Sequence, residues 1–231
     1  MRFFAYASAV ALAAAAFPAF AADPAAVPVE EVVVTATRLP SPLEATPGAY
    51  VITAEEIEAR GAVFAADVLE TLPGISFSRN GGLGGFSSVR QRGASGDKTL
   101  VLIDGVPVTD PSQPNGGFDF SSLELADIER IEVLNGPQGS LWGSDAIGGV
   151  ISFTTREPEA FRAAVEGGSY GTFRGAASVG RADERSAYGL SVSGLTADGF
   201  SKAAVGSEDD GMDTVTVTAN GRVALGERAV L

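Results

Sequence analysis

The sequence has 231 residues, no cysteine, no histidine and a formal net charge of −13 at pH 7. The missing side chains exclude disulfides, thiol and imidazole nucleophiles and imidazole metal ligands, and the acidic balance argues against nucleic acid as a partner. A catalytic carboxylate pair stays possible on composition, although no local spacing of acids points to one.

The N-terminus has the pattern of an exported protein. A short basic start precedes an Ala-rich apolar stretch over residues 3–17, which Pro18 interrupts. Small residues then occupy the cleavage positions, so residues 1–21 are predicted to be a signal peptide that is removed after Ala21. A membrane anchor is the alternative interpretation of this apolar run. No later run is long enough to predict a transmembrane helix.

Residues 22–47 are predicted to be a flexible segment that contains one strand-like heptad at 30–36. The heptad reads Glu-Glu-Val-Val-Val-Thr-Ala, and its β-branched residues favour an extended backbone. Prolines at 40, 42 and 47 break helices around it, and no neighbouring strand is close in sequence. Such an unpaired segment can add to the edge of another protein's sheet. An ordinary strand is the alternative.

The region 48–157 is predicted to be an α+β domain with a small mixed sheet and short helices. A capping box at 53–56 begins a helix that Gly61 ends. Apolar spacing predicts a second helix over residues 63–72, before Pro73. The predicted strands lie at 75–78, 89–92, 99–103, 106–108, 131–134 and 150–153.

The Gly-rich loop at 80–85 invites a nucleotide-binding interpretation. It lacks the third glycine of the dinucleotide fingerprint, opens no helix and is not followed by Gly-Lys-Ser/Thr. A mobile loop, or one that faces a ligand, is therefore the preferred interpretation.

From Phe161 onward, small, polar and apolar residues alternate. In the stretch 214–223, valines and an alanine fall on one face and threonines with Asn220 and Arg222 on the other. Strands are predicted at 161–169, 172–181, 186–196 and 214–225, with a short turn at 182–185 and a long loop at 197–213. This pattern is typical of transmembrane β-barrels, although soluble β-sandwiches alternate as well.

Several stretches, taken together and in order, resemble TonB-dependent outer-membrane receptors. They are Asp67–Leu69, Leu72–Ile75, Arg92–Gly93, Leu100–Val106 and Ile128–Thr155. In that family a plug domain sits inside a large barrel. The resemblance therefore implies an α+β plug domain at 48–157, followed at 158–231 by about four first strands of an antiparallel transmembrane β-barrel. Asn80–Gly82 and residues 142–150 look similar to the cobalamin-receptor branch.

The resemblance implies a transporter and not an enzyme, located in the outer membrane of a Gram-negative bacterium and in contact with its lipid. The heptad occupies the place of the TonB box, so the implied binding site for TonB is formed by Glu31, Val32, Val33, Val34, Thr35 and Ala36. The implied substrate is a nutrient chelate such as a cobalamin or a ferric siderophore. Its candidate contacts, on apical plug loops, are Asn80, Leu83, Phe86, Gln113, Asn115 and Phe118.

Two arginines hold the plug to the barrel wall in this family, where they pair with barrel glutamates. Arg92 matches one of them, but Asn135 stands where many members have the other. Arg92 is therefore expected to make the plug–barrel contact alone, and that contact is expected to be weaker.

An acidic stretch in the long loop raises the question of a bound metal. Some cobalamin receptors bind calcium in the matching loop, and carboxylates such as those of Asp209, Asp210 and Asp213 suit Ca²⁺. The ligand spacing is incomplete, so an ordinary acidic loop is preferred, and neither a metal site nor a cofactor is expected.

Four strands cannot close a barrel, since about eight is the minimum. We therefore expect the chain to be part of a longer receptor with further strands encoded downstream. The alternative function is an exported surface binding module or adhesin without transport, which would have no use for the heptad at 30–36. An exported hydrolase is disfavoured by the absence of histidine and of a Gly-x-Ser-x-Gly elbow.

Overall fold

The computed structural model describes residues 33–38, 41–82, 84–113, 116–157, 160–183, 185–201 and 209–224. The predicted signal peptide lies outside these residues. The strands are β1 Val33–Val34, β2 Ser41–Pro42, β3 Ala49–Thr53, β4 Ile75–Arg79, β5 Ser87–Gln91, β6 Thr99–Ile103, β7 Val106–Val108, β8 Ile128–Asn135, β9 Gly149–Thr155, β10 Arg162–Gly167, β11 Phe173–Ala182, β12 Ser186–Ala197 and β13 Met212–Val223. The α-helices are α1 Ala54–Arg60, α2 Ala65–Leu69 and α3 Gly139–Trp142.

A five-stranded mixed sheet organises the described residues of 41–157, which we call the core domain. Its strand order is β3-β8-β9-β6-β7, and only β6 and β9 pair in parallel. Both faces of the sheet are covered by apolar residues: Ile131 and Phe153 belong to one buried cluster, Leu134 and Val150 to the other. The nearly continuous apolar runs are explained by this double burial.

The first helix begins and ends where the sequence predicts. Gly61, with φ of 61°, closes α1 in a left-handed conformation that glycine adopts without strain. The capping box, however, is not formed as expected, because the Thr53 side chain makes no capping hydrogen bond. Its hydroxyl bonds to the Glu55 carboxylate instead, which lowers the pKa of Glu55.

The second helix is shorter than the predicted span of 63–72. Residues 63 and 64 are used for pairing with another segment: the Leu125 N–H donates to the Val63 carbonyl, and the Ala65 N–H donates to the Leu123 carbonyl, both at 2.9 Å. Phe64 therefore stays extended, with φ of −113°. Its N–H donates to the Asp67 carboxylate at 3.2 Å and so starts the helix.

The other predicted strands of the core domain are present. β4 and β5 form an antiparallel pair, and β6 turns into β7 through Asp104 and Gly105. Both turn residues have positive φ, at 49° and 77°. Positive φ at two central residues is the geometry of a tight type I′ hairpin.

β10 to β13 form a separate antiparallel sheet in sequence order, which we call the wall sheet. Among the described residues this sheet is open: β10 pairs with β11 alone and β13 with β12 alone. Its apolar face is exposed: Val215, Val217 and Leu190 have exposed fractions of 75%, 64% and 46%. The opposite face of β13 is half-buried and carries Thr214, Thr216, Thr218 and Asn220. No helix in the described part of the chain is long and apolar enough to cross a membrane.

Candidate functional site

The N-terminal segment, residues 33–38, lies against the core domain. β1 pairs with β2 in antiparallel fashion, Val33 opposite Pro42 and Val34 opposite Ser41. Val34 and Ala36 have exposed fractions of 0% and 3% and belong to a buried apolar cluster of the core domain. The expectation of an unpaired segment is therefore wrong for these residues, because burial of apolar side chains favours the docked state. Glu31 and Val32 lie outside the described residues.

Glu132, in the middle of β8, holds this segment by its backbone. One carboxylate oxygen accepts the N–H groups of Thr35 and Ala36, both at 2.7 Å. The other accepts the Thr35 hydroxyl at 2.8 Å and pairs with the Arg130 Nε at 3.0 Å. The Glu132 side chain is completely buried, and a buried carboxylate needs partners of this kind. Glu132 is the one charged residue in the otherwise apolar run 131–134, and this is the sequence signal for its buried role that sequence analysis missed.

Trp142 contacts the same segment from α3. Its indole N–H donates to the Ala36 carbonyl at 2.8 Å, and the Arg38 guanidinium carbon lies 4.2 Å from the ring centroid. The latter distance is that of a cation–π contact. At Ala36, side chains of the core domain therefore bind both the backbone N–H and the backbone carbonyl.

The core domain faces the polar side of the wall sheet. Asp127 accepts a hydrogen bond from the Ser191 hydroxyl at 2.8 Å, and the Asn220 amide donates to the Arg156 carbonyl at 2.7 Å. Burial raises the pKa of Asp127, while hydrogen bonds from Ser191 and Thr218 act in the opposite direction. These hydrogen bonds join the two regions together with one small apolar cluster, in which Phe64 of the core domain packs with Leu195 and Ala197 of β12.

Ion pairs add to this contact around a cavity of about 500 Å³. Arg174 lies 3.1 Å from Glu166 and 3.8 Å from Glu124, and Arg222 holds Glu157 in a bidentate pair at 2.9 and 3.0 Å. The charged residues that line the cavity are Glu58, Glu124, Asp127, Arg156, Arg162, Glu166 and Arg174. The cavity lies between the two faces and is lined by apolar side chains, such as Ile57 and Leu125, as well as by these charged ones.

Arg92 and Asn135 lie next to each other at the end of β8. Arg92 is exposed, and a methyl group at Gly136 would lie 3.1 Å from its Nη1. Within the described residues Arg92 makes no ion pair, so its expected contact with a barrel glutamate stays a prediction. Asn135 is buried: it donates to the Pro73 carbonyl at 3.1 Å and accepts from the Gln91 amide at 3.2 Å.

The first candidate substrate loop reaches the wall sheet. The Asn80 N–H donates to the Phe86 carbonyl at 2.9 Å and closes the loop; Asn80 is exposed and Phe86 half-buried. A methyl group at Gly82 would lie 3.3 Å from the ring of Phe200, in the loop between β12 and β13. Leu83 lies outside the described residues.

The second candidate loop is anchored beside the first. The Ser87 N–H donates to the Asp119 carboxylate at 2.9 Å and thereby joins the two loop bases. The Gln113 N–H donates to the Asp110 carbonyl at 3.1 Å. Phe118 packs edge-on against Phe120, with ring centroids 4.8 Å apart, and belongs to the packing of the core. Asn115 lies outside the described residues.

The acidic candidates for calcium do not form a cluster in the described part of the chain. Asp209 and Asp213 are exposed, and no group of three His, Cys, Asp or Glu side chains there is placed to hold a metal ion. The expectation about calcium stays a prediction.

Comparison with known proteins places this geometry among receptors. The family profile of the TonB-dependent Receptor Plug Domain matches residues 42–150. The vitamin B12 transporter BtuB of Photobacterium profundum is 38% identical over 228 residues, which are 95% of this chain and 37% of that protein. BtuB of Vibrio vulnificus is 42% identical over 137 residues, 59% of this chain and 22% of that protein. The chain thus spans 22% to 37% of the length of these relatives.

Solved structures of siderophore receptors share the fold. The siderophore receptor PirA from Acinetobacter baumannii matches with a TM-score of 0.62 and 20% identity, over 81% of this chain and 31% of that one. The ferric yersiniabactin uptake receptor FyuA from Yersinia pestis matches with a TM-score of 0.59 and 26% identity, over 76% of this chain and 28% of that one. The match to PirA shows the fold alone.

Proposed function

Because this chain belongs to the TonB-dependent receptor family, we propose that the protein is an outer-membrane receptor which imports a scarce nutrient into a Gram-negative bacterium. The observation that carries the proposal is the two-sided wall sheet. Its apolar face is exposed, as lipid contact requires, and its polar face hydrogen-bonds to the core domain. A plug held by hydrogen bonds can close a barrel lumen and still move.

TonB is the proposed source of that movement. Val33 and Val34 form a short strand, and the Arg38 N–H then donates to the Thr35 carbonyl at 3.0 Å and closes a turn. The valine-rich sequence favours an extended backbone. A partner that adds a strand to it would bind through main-chain hydrogen bonds. Pulling on Val33–Ala36 would act on β8 directly, because Glu132 and the segment are hydrogen-bonded.

The proposed substrate is a cobalamin, with a ferric siderophore as the second candidate. The vitamin B12 transporter BtuB of Photobacterium profundum matches over 95% of this chain, and so through the wall sheet as well as the plug domain. The apical side offers aromatic surface: Tyr170 and Phe200, 64% and 48% exposed, have ring centroids 5.6 Å apart beside the loop at 80–86. Aromatic surface suits a large conjugated ligand.

Uptake measurements test the proposal. A Gram-negative strain without its own cobalamin and siderophore receptors would express the complete gene that contains this chain. We expect uptake of radiolabelled cyanocobalamin, and none in the same strain without TonB. Uptake of a ferric siderophore instead would change the substrate but keep the function. Surface binding with no energised uptake of either ligand would favour the adhesin alternative.

Val33→Pro separates binding from transport. Proline removes the backbone N–H donor at position 33 and disrupts a paired strand, so we expect surface binding of substrate to persist while uptake falls to background. The control is Val33→Thr, which keeps the donor and the β preference and is expected to be far milder. Uptake at the wild-type rate in the proline variant, at equal receptor levels, would remove the assigned role from this segment.

A further inference from the structure

A guanidinium group of the wall sheet lies between two carboxylates. Arg174 Nη1 donates to Glu166 of the neighbouring strand β10 at 3.1 Å. Arg174 Nε faces Glu124 of the core domain at 3.8 Å, a distance that allows an ion pair but is too long for a hydrogen bond. We propose that Arg174 is the counter-ion that lets the core domain bind the wall sheet with Glu124 buried, and that Glu166 competes with Glu124 for it. A part for this competition in transport rests on the proposed function, but the competition itself does not.

The Glu124 carboxylate has no other strong partner in the described part of the chain. Its side chain is 3% exposed, and one of its oxygens accepts from the Thr216 hydroxyl at 3.5 Å. The other oxygen is buried there without a hydrogen-bond partner, and so is the facing Nε of Arg174. The adjoining Phe64 and Leu195 belong to an apolar cluster, so water screens these charges little. Because a buried carboxylate is costly unless it is paired, contact between the two regions depends here on the positive charge of Arg174.

Glu166 does not depend on Arg174 in the same way. The two residues are directly opposite each other in β10 and β11, so their side chains share one face of the wall sheet. The Glu166 side chain is 58% exposed. Water therefore stabilises its carboxylate with or without the arginine. One guanidinium thus serves a buried acid that needs it and an exposed acid that does not.

The position of this guanidinium favours either contact or separation of the two regions. Near Glu124, Arg174 compensates the buried carboxylate. Withdrawn toward Glu166, it leaves that carboxylate without a counter-ion, and separation of the core domain from the wall sheet then exposes Glu124 to water. The observed geometry is intermediate, since the hydrogen bond is made to Glu166 while the 3.8 Å ion pair with Glu124 is kept.

Separation of the two regions can be measured with thiol chemistry, because the sequence contains no cysteine. Ser193→Cys places a thiol on β12, at a residue that lines the cavity between the regions and is 7% exposed. Val89→Cys places one inside the core domain, at 1% exposure. Both are made in the complete receptor, purified in detergent, and the rate of labelling by a maleimide measures how often each thiol reaches solvent.

Arg174→Gln leaves Glu124 buried without a counter-ion. We expect it to raise the labelling rate of Ser193→Cys about a hundredfold, close to the low end of the cost of breaking a buried pair, while Val89→Cys stays protected. Glu124→Gln added to Arg174→Gln removes the stranded charge and should reverse most of that increase. The matched control is Arg222→Gln, which removes a 49% exposed arginine from a pair between the same two regions and should raise the rate about fivefold at most.

Glu166→Gln tests the competition separately. Without the Glu166 charge, Arg174 is free to move to Glu124, so the labelling rate of Ser193→Cys should fall about threefold. In the Arg174→Gln background the same substitution should change nothing. A damaged fold would raise the labelling rate, so a lower rate cannot come from misfolding.

Each part of the inference can be overturned. If Arg174→Gln is labelled no faster than Arg222→Gln, or if Glu124→Gln does not reverse its effect, Arg174 is not the counter-ion of Glu124. If Glu166→Gln leaves the rate unchanged or raises it, the two acids do not compete. If the thiol inside the core domain becomes reactive together with the cavity thiol, Arg174 supports the fold of the core domain and not its contact with the wall sheet.

Uptake separates this inference from the proposed function, because the labelling rates need neither substrate nor TonB. If Glu166→Gln slows energised uptake of radiolabelled cyanocobalamin at equal surface binding, the competition for Arg174 takes part in transport, and an unchanged rate overturns that part. If the labelling rates follow the expected order but the wild-type receptor takes up no ligand, the counter-ion stands and the proposed function fails.

Discussion

The core sheet and the wall sheet use the same two-residue period of side chains for opposite purposes. In the core sheet, Ile131 and Phe153 are completely buried, and both faces are apolar. In the wall sheet, Val215 and Val217 point away from the protein, and the polar face is the one that contacts the core domain. An apolar side chain marks the face that avoids water: this is the protein interior in the core sheet and, in the proposed receptor, the lipid side in the wall sheet.

The largest expected difference between the sheets comes from truncating one apolar residue in each. Phe153→Ala should destabilise the core domain by about 3–5 kcal/mol, because a cavity forms where a 0% exposed ring was packed. Val217→Ala, on the exposed face, should change stability by less than about 0.5 kcal/mol. Thermal denaturation, followed by protease resistance of the core domain, measures both. Equal losses would mean that the wall face is packed as well.

Glycines give a second comparison. A methyl group at Gly149 in β9 would clash with the Leu134 carbonyl oxygen and with the Gln91 amide oxygen. Gly149→Ala should therefore cost about 1–3 kcal/mol, the range for overpacking. Gly175→Ala in β11 meets no atom within 4 Å and is the matched control. The same protease assay should show a lower melting temperature for the first variant only.

Two acids should show opposite pH dependence. Burial raises the pKa of Asp127 in the core domain. The protonated Asp127 side chain therefore contributes stability below the ordinary aspartate pKa of about 4, and this contribution is lost as pH rises through the raised pKa. Asp183, in the turn before β12, accepts N–H bonds from Arg185 and Ser186, which lower its pKa. The ionised Asp183 side chain therefore contributes stability above the ordinary aspartate pKa, and this contribution is lost as pH falls through the lowered pKa.

Melting temperatures between pH 3 and pH 7 check this contrast, over the range around the ordinary pKa of about 4. Relative to wild type, Asp127→Asn should gain stability as pH rises, since it removes a buried charge. Asp183→Asn should lose stability over the same interval. Curves of the same sign for both variants would contradict the assigned environments.

The smallest effect is expected at the exposed ion pair between core domain and wall sheet. Glu157 and Arg222 form a bidentate pair whose side chains are 42% and 49% exposed. A double-mutant cycle with Glu157→Gln and Arg222→Gln should give a coupling energy of about 0.2–1 kcal/mol. A value of several kcal/mol would show that charge, and not only hydrogen bonding, holds the plug domain to the wall.

Local sequence determined the positions of most elements. The end of α1 at Gly61, the Asp104–Gly105 turn and the four wall strands all follow from residues that are close in sequence. Glycine conformation, turn chemistry and two-residue alternation act over a few positions, so they can be recognised without the fold. The order of the family motifs also identified the plug domain, which the profile match confirms.

Tertiary structure alone decided what these elements contact. Thr35 and Glu132 are separated by 97 residues, and no local pattern links them. Residues 63 and 64 pair with 123–125 instead of extending α2, and Phe118, a candidate substrate contact, packs against the buried core cluster. In each case the partner lies far away in the sequence. It becomes available only when distant segments pack together, and its contact then overrides the local preference.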